Sequence, residues 1–332
     1  MLLSIVYLIA GLALILVGAN ILTDGSAALA RRIGISDLIV GLTVVAFGTS
    51  TPELVISVLS AARDTAGLAV GNVVGSNIFN ILVIVGITAI VRPISVGRGI
   101  MSTEIPLVIL SSLLLIVMAN GPLLDGAPLS VITRVDGIIL LIFFILFMRE
   151  TLVRSRRRPA PAPEAASGPT AKPAAAAATE MPLAKSLIFI VLGLAGLIIG
   201  GDRFVAGASD IARGMGVSDA VIGLTIVAVG TSLPELAASV AAALKGNSDM
   251  ALGNVIGSNV FNIFLVLGAA ATVRPLPLGD VTAVDLGTLM GASLLFWICG
   301  WLVGRRTITR GEGVMLTAFY VAYMVWLVTH AL

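Results

Sequence analysis

Long apolar stretches separated by short polar segments run along the whole chain. A helix needs about 20 predominantly apolar residues to cross the hydrocarbon core of a bilayer. Ten stretches approach that length, at residues 2–20, 38–61, 68–90, 104–119, 128–148, 186–200, 220–243, 250–272, 282–303 and 313–331. The first has no positively charged segment before it, so it is predicted as a transmembrane helix and not as a secretory signal. The pattern predicts an all-α polytopic membrane protein with ten transmembrane helices.

A segment of different composition separates the fifth stretch from the sixth. It begins with four arginines among residues 154–158 and continues as alanine and proline with few polar residues. Such a composition cannot bury enough apolar surface to order itself. We therefore expect residues 151–184 to be a flexible linker between a first five-helix repeat, residues 1–150, and a second, residues 185–332.

An internal repeat relates these two parts. Residues 34–58 align without a gap with residues 216–240, an offset of 182, and 16 of the 25 positions are identical. The same offset aligns residues 71–80 with 253–262. Since each part has an odd number of predicted spans, the two copies enter the membrane from opposite sides. Inverted repeats of this kind are typical of alternating-access transporters.

Composition supports the membrane assignment. The chain is 58% hydrophobic and 11% charged, with a mean hydropathy of +1.09, whereas soluble domains carry roughly 25% charged residues. Of the 20 basic residues, 15 fall on the side of the linker and five on the other. The positive-inside rule therefore predicts a cell (inner) membrane protein with a cytoplasmic linker and both termini outside. We expect the lipid bilayer as its partner, no nucleic acid, and function as a monomer.

Two polar motifs interrupt apolar spans. They are Gly48-Thr49-Ser50-Thr51-Pro52-Glu53 and, at the repeat offset, Gly230-Thr231-Ser232-Leu233-Pro234-Glu235. Proline removes a backbone donor, so each span is predicted to break there, and a break within lipid implies a polar cavity. A carboxylate at the bilayer centre is costly, and the middle of the predicted spans holds no Lys, Arg or His. Glu53 and Glu235 are therefore predicted to hold a cation.

The third and eighth spans add further oxygen donors. Gly75-Ser76-Asn77 and Gly257-Ser258-Asn259 are predicted to mark a second helix break, followed by Asn80 and Asn262. Together with the hydroxyls of Thr49, Ser50, Thr231 and Ser232, the candidate ligands are all hard oxygens. Such a set suits Ca²⁺ or Na⁺ and argues against Zn²⁺ or Cu⁺, and its mixed character favours Ca²⁺ over Mg²⁺.

At these motifs the sequence resembles the cation/Ca²⁺ exchanger superfamily, in particular its prokaryotic Na⁺/Ca²⁺ exchanger-like members. The resemblance covers both repeats and the ten-helix layout. It implies that Ca²⁺ is bound by Glu53, Glu235 and the backbone carbonyls of Thr49 and Thr231. It also implies flanking Na⁺ sites that use Ala46, Ser50 and Ser76 on one side and Ala228, Ser232 and Ser258 on the other. Three Na⁺ would exchange for one Ca²⁺, with the first and sixth helices sliding as the gate.

These expectations describe an antiporter that extrudes Ca²⁺, is not an enzyme and uses no cofactor, Ca²⁺ and Na⁺ being its substrates. H⁺/Ca²⁺ antiport and K⁺-dependent Na⁺/Ca²⁺ antiport are alternatives. Asn262 weakens the K⁺-dependent one, because K⁺-dependent relatives carry an aspartate there. A cation channel is the alternative from another class, since broken helices also build selectivity filters.

Other repeated polar residues have a structural interpretation. Ser57 and Ser239, one turn beyond the glutamates, are interpreted as helix-packing hydroxyls. Asp37 and Asp219, just before a span, are interpreted as helix N-caps.

Overall fold

A computed structural model describes residues 2–62, 66–121, 126, 129–157, 181–215, 228–302 and 306–331. The helices before the linker are α1 (Leu2–Ile33), α2 (Asp37–Val40), α3 (Ala46–Thr49), α4 (Thr51–Ala62), α5 (Ala66–Phe79), α6 (Val85–Val91), α7 (Ile105–Ala119) and α8 (Arg134–Arg157). Those after it are α9 (Leu183–Gly214), α10 (Ala228–Gly230), α11 (Leu233–Leu244), α12 (Ser248–Phe261), α13 (Gly268–Val273), α14 (Ala283–Leu302) and α15 (Arg310–Ala331). Most of the predicted linker, residues 158–180, lies outside the described residues.

Four π-helical segments and four short strands complete the described elements. The π-helical segments are π1 (Gly41–Val45), π2 (Asn80–Ile84), π3 (Ile100–Glu104) and π4 (Asn262–Leu267). The strands are β1 (Ile94–Ser95), β2 (Val131–Ile132), β3 (Leu276–Pro277) and β4 (Thr307–Ile308). Extended chain at the helix ends pairs into two small antiparallel ribbons, each of two residues per strand. The fold is otherwise helical.

Six described helical segments are long and apolar enough to cross a membrane, and the bent pair 37–49 and 51–62 makes up to seven. The second-half counterpart of that pair, predicted at 220–243, lies partly outside the described residues. The first and sixth spans were predicted too short, since α1 and α9 each run for 32 residues. Polar residues such as Asp24 limit the apolar stretch but do not end the helix; Asp24 forms an ion pair with Lys245, 2.8 Å from its Nζ.

Helices α1 and α9 pack closely along their length through glycines spaced seven residues apart. A Cβ added at Gly11 would lie 2.5 Å from the Phe204 backbone nitrogen, and one at Gly193 would lie 2.6 Å from the Leu22 nitrogen. Small residues allow this backbone approach between membrane helices. Only 28% of the most apolar window of each helix is buried. The pair therefore presents an extended apolar surface to the bilayer.

The segments 67–91 and 248–273 form the centre of the molecule, with 83% of their most apolar windows buried. The predicted second helix break is wrong, because Ser76 and Ser258 lie inside continuous helices α5 and α12. Neither motif contains a proline, so no backbone donor is lost there. The geometry changes only at Asn80 and Asn262, where π2 and π4 begin.

The last helix before the linker and the last helix of the chain each pack on the central segment of the other part. A Cβ added at Gly137 of α8 would lie 2.9 Å from the Gly268 carbonyl oxygen. A Cβ added at Gly313 of α15 would lie 2.5 Å from the Gly86 carbonyl oxygen. The two ribbons also join the two parts, because β1 and β2 of the first part pair with β4 and β3 of the second, respectively. The two parts therefore interlock and do not form separate bundles.

The helix cap at the start of α2 differs from its prediction. Ser36 is the N-cap, and its Oγ accepts a hydrogen bond from the Ile39 nitrogen at 3.4 Å. Asp37 is the first helical residue, where its charge faces the positive end of the helix dipole, and it accepts a 2.9 Å hydrogen bond from Asn247 Nδ2. Asp219 lies outside the described residues.

Candidate ion-binding site

Both polar motifs break their helices, as the prolines predict. Helices 37–49 and 51–62 meet at an angle of 47°. Ser50 between them has φ −84° and ψ 6°, and Ser232 at the second break has φ −95° and ψ 6°. A proline follows two residues after each serine. Because proline has no backbone N–H, it cannot donate the next hydrogen bond of the helix, and the helix breaks at the serine. The two breaks thus share one backbone geometry.

The two glutamates follow these breaks in the first turns of α4 and α11, and each is 1% exposed. Glu235 Oε1 accepts a hydrogen bond from Ser50 Oγ at 3.2 Å. Glu235 Oε2 and both carboxylate oxygens of Glu53 are buried without a hydrogen-bond partner among the described residues. The two carboxylates are close enough to interact electrostatically.

Each glutamate lies beside the helix break of the opposite half. Thr49 and Ser50 are neighbours of Glu235, whereas Thr231 and Ser232 are neighbours of Glu53. At the site, each repeat therefore places its helix break beside the glutamate of the other repeat. Among the ion pairs formed by the described residues, none includes either glutamate.

The central segments contribute four more buried oxygens. Ser76 is 4% exposed, Ser258 0%, and Asn80 and Asn262 1% each. The hydroxyl oxygens of the serines and the amide oxygens of the asparagines have no hydrogen-bond partner among the described residues. The Asn262 amide nitrogen, by contrast, donates to Asn77 Oδ1 at 3.0 Å, which fixes the orientation of that amide.

Buried polar atoms in proteins are nearly always hydrogen-bonded, because an unmade bond costs about 1–3 kcal/mol. Twelve residues of the described chain carry such unpartnered buried oxygens. Seven of them belong to the predicted site: Glu53, Ser76, Asn80, Ser232, Glu235, Ser258 and Asn262. The remaining five are Ser26, Thr88, Ser209, Asn259 and Glu312. Carboxylate and amide oxygens only accept, so a bound cation is the natural partner for such a cluster.

The other predicted ligands are at the breaks themselves. Thr49 Oγ1 donates to Asn254 Oδ1 at 3.3 Å and lies 3.4 Å from the Ala46 carbonyl, so its hydroxyl is already engaged. The Ala46 carbonyl also accepts from the Ser50 nitrogen at 2.9 Å. Ala228 is the first described residue before the second break, and Thr231 follows it beside Glu53.

Asparagines that the sequence interpretation did not single out support both breaks. Asn254 Nδ2 donates to Ser239 Oγ at 2.9 Å, and Asn72 Nδ2 donates to Ser57 Oγ at 3.3 Å. The packing role predicted for Ser57 and Ser239 agrees with these contacts. A signal for the asparagines was present, since residues 72 and 254 are related by the same offset of 182 as the glutamates.

A helical membrane protein with a buried, oxygen-rich site at paired helix breaks is the class that this geometry defines. A family model described as "Sodium/calcium exchanger protein" matches residues 3–151 and 185–329. The chain belongs to this family.

Relatives match over nearly the whole chain. The "Putative antiporter CaxA" of Alkalimonas amylolytica is 37% identical over 97% of this chain and 98% of its own length. The "Sodium/calcium exchanger MaX1" of Methanosarcina acetivorans is 32% identical over 96% of each. A solved structure of the sodium-calcium exchanger NCX_Mj has a TM-score of 0.79 and 30% identity, covering 98% of both chains. These similarities agree with a multi-pass membrane protein of the cation/Ca²⁺ exchanger superfamily.

Proposed function

We propose that the chain is a secondary active antiporter that exchanges Ca²⁺ for Na⁺ at a site containing Glu53 and Glu235. The observation that carries the proposal is the set of buried oxygens that have no hydrogen-bond partner among the described residues and that come from both halves of the molecule. Two carboxylates balance the charge of one Ca²⁺. Hydroxyl, amide and carbonyl oxygens complete a set that suits Ca²⁺ and Na⁺.

Competition between the two ions follows from electrostatics. Ca²⁺ and Na⁺ need the same two carboxylates, so full occupancy by one excludes the other. An empty site leaves two buried negative charges close together in a medium of low dielectric, and this arrangement is costly to move across the bilayer. The cost suppresses uncoupled return of the empty protein and favours strict exchange.

Alternating access needs two gate arrangements of similar energy. We propose ten transmembrane helices in two inverted five-helix repeats, which make such arrangements nearly equivalent. The cross-packing of α8 and α15 and the shared geometry of the two breaks support this symmetry. The contact between α1 and α9 is formed at glycines, which have no side chains to interlock, and this suits a pair of helices that slides as the gate.

Orientation and coupling complete the proposal. The linker is cytoplasmic and the termini lie outside, the order that the basic residues favour. Three Na⁺ exchange for one Ca²⁺, so one net charge moves per cycle, worth about 2.3 kcal/mol per 100 mV. With an inward Na⁺ gradient and a negative cell interior, the direction is Ca²⁺ extrusion. No cofactor takes part.

The test is transport by the purified protein in liposomes. Vesicles loaded with Na⁺ are diluted into buffer free of Na⁺ and K⁺, and ⁴⁵Ca²⁺ uptake is followed. Matched vesicles contain choline, K⁺ or a proton gradient, and a K⁺/valinomycin clamp measures the dependence on voltage. We expect uptake that requires internal Na⁺ and rises as the vesicle interior is made more positive, because three Na⁺ leave for each Ca²⁺ that enters and one net positive charge moves outward.

Other outcomes reassign the function. Uptake driven by a pH gradient would make the protein an H⁺/Ca²⁺ antiporter, and a requirement for K⁺ would make it K⁺-dependent. Flux without any counter-ion would indicate a channel. Voltage-independent exchange would exclude the proposed stoichiometry of three Na⁺ to one Ca²⁺.

A further inference from the structure

Asn254 lies in α12, is 1% exposed, and contacts both helix breaks. Its Nδ2 donates to the backbone oxygen of Glu235 at 3.2 Å and to Ser239 Oγ at 2.9 Å. Its Oδ1 accepts from Thr49 Oγ1 at 3.3 Å. The amide therefore uses both donors and one acceptor position to connect the first break with the glutamate of the second half.

The backbone that carries this amide is closely packed against the first half. A Cβ added at Gly253 would lie 2.6 Å from the Leu38 oxygen, and one at Gly41 would lie 3.1 Å from the Asn254 nitrogen. This packing holds α12 against α2 and π1, which lead into the first break. Interiors packed to this density transmit displacement and do not absorb it.

Two hydrogen-bonded links therefore join the first break to Glu235. Ser50 reaches the carboxylate itself, and Thr49 reaches the backbone through Asn254. We propose that Asn254 is a positioning residue that sets the distance between the first helix break and Glu235, and that it thereby determines affinity for Ca²⁺ more than for Na⁺. This inference rests on the proposed exchange function.

The preference for Ca²⁺ follows from the number of ligands each ion needs at once. Ca²⁺ takes 6–8 oxygens, and here it draws both glutamates and both breaks together. Each Na⁺ at a flanking site draws on the oxygens of one side, so the two carboxylates are used by the Na⁺ ions together and not by any one of them. Loss of the link between the halves therefore affects the ion that bridges them more than the ion that does not.

The experiment measures Na⁺-dependent ⁴⁵Ca²⁺ uptake by the full-length protein and by Asn254→Ala. We expect the KM for Ca²⁺ to rise about tenfold, the effect of losing buried hydrogen bonds. The Na⁺ concentration for half-maximal exchange should change less than about threefold, and the melting temperature in detergent gives an independent readout of stability.

The repeat provides a matched control. Asn72 occupies the equivalent position, is half-buried, and donates to Ser57 at 3.3 Å. Since this bond lies within one half and does not join a helix break to the glutamate of the other half, Asn72→Ala should raise the KM for Ca²⁺ less than about threefold.

A second variant breaks the link at its Thr49 end. Thr49→Val removes the hydroxyl that donates to Asn254 but keeps the Thr49 carbonyl and the side-chain shape. It should raise the KM for Ca²⁺ in the same selective way, and combined with Asn254→Ala it should add nothing further. If Asn254→Ala does not yield folded protein, the effect of Thr49→Val on the KM for Ca²⁺ tests the proposed link by itself.

The role of Asn254 is overturned if both ions are weakened equally together with a lower melting temperature, which is the mark of a purely structural residue. It is also overturned if the KM for Ca²⁺ does not change. Absence of Na⁺-dependent uptake by the unmodified protein overturns instead the proposed function.

Discussion

Glu53 and Glu235 occupy equivalent positions of the repeat but have different surroundings. Glu235 accepts a hydrogen bond from Ser50 on its carboxylate and one from Asn254 on its backbone oxygen. Neither carboxylate oxygen of Glu53 has a hydrogen-bond partner among the described residues, although Thr231 and Ser232 lie nearby. The carboxylate of Glu235 is therefore held by a hydrogen bond from the first half, whereas that of Glu53 has no such bond among the described residues. The repeat provides two equivalent glutamates, and hydrogen bonds between the halves make their surroundings inequivalent.

The largest expected effect tests what the two glutamates share. Glu53→Gln and Glu235→Gln each remove one of the two charges that the proposed function assigns to Ca²⁺ binding. Breaking a buried charge interaction costs about 3–5 kcal/mol, so Na⁺-dependent Ca²⁺ uptake should fall at least about a hundredfold in either variant. Substantial uptake by one of them would show that a single carboxylate carries the site.

A second pair of substitutions tests a region where the halves should behave alike. Gly11 and Gly193 are related by the repeat offset, and a Cβ at either meets opposing backbone at 2.5–2.6 Å. Overpacking costs about 1–3 kcal/mol, so Gly11→Ala and Gly193→Ala should lower the melting temperature and slow exchange to similar extents.

Gly291→Ala is the control for this pair, because, apart from its own helical turn, no atom of the described residues lies within 4 Å of its added Cβ. Its melting temperature and exchange rate should stay near those of the unmodified protein. If only one of the two α1–α9 variants is impaired, then the asymmetry of the molecule extends to this pair of helices.

Substitution of the break serines sharpens the difference between the glutamates. Ser50→Ala leaves Glu235 Oε1 without its donor, whereas Ser232 Oγ has no partner to lose among the described residues. A hydrogen bond to a charged group is worth about 1.5–3 kcal/mol. Ser50→Ala should therefore weaken Ca²⁺ binding, measured by calorimetry, at least about tenfold more than Ser232→Ala. Equal losses would mean that the ion, not Ser50, orients Glu235.

The smallest effect concerns a contact between the halves at the protein surface. Lys245 Nζ lies 2.8 Å from Asp24 Oδ1 and donates to the Asn20 oxygen at 2.8 Å. Exposed ion pairs contribute about 0.2–1 kcal/mol and are screened by salt. Lys245→Met should lower the melting temperature by less than about 4 °C, and the difference should shrink in 1 M salt. A larger shift would show that this contact holds α1 in its register.

Several features could be predicted because their causes lie within a few residues of the chain. Pro52 and Pro234 remove backbone donors wherever they occur in a helix, so the breaks follow from local chemistry. The second predicted break is absent, because glycine, serine and asparagine allow a helix to bend but do not force it to. Seven predicted site residues carry unpartnered buried oxygens, and their ligand roles remain predictions.

The amino-acid sequence alone determined the membrane environment, the duplication, the broken helices and the pair of acidic residues. These depend on hydropathy, identity at a fixed offset and backbone chemistry. Only the tertiary structure decided that each glutamate faces the break of the opposite half, that α8 and α15 exchange partners, and that Asn254 joins Thr49 to Glu235. Thr49 and Asn254 are 205 residues apart in the chain. Contacts at such separation depend on how whole helices pack, which no local pattern of residues encodes.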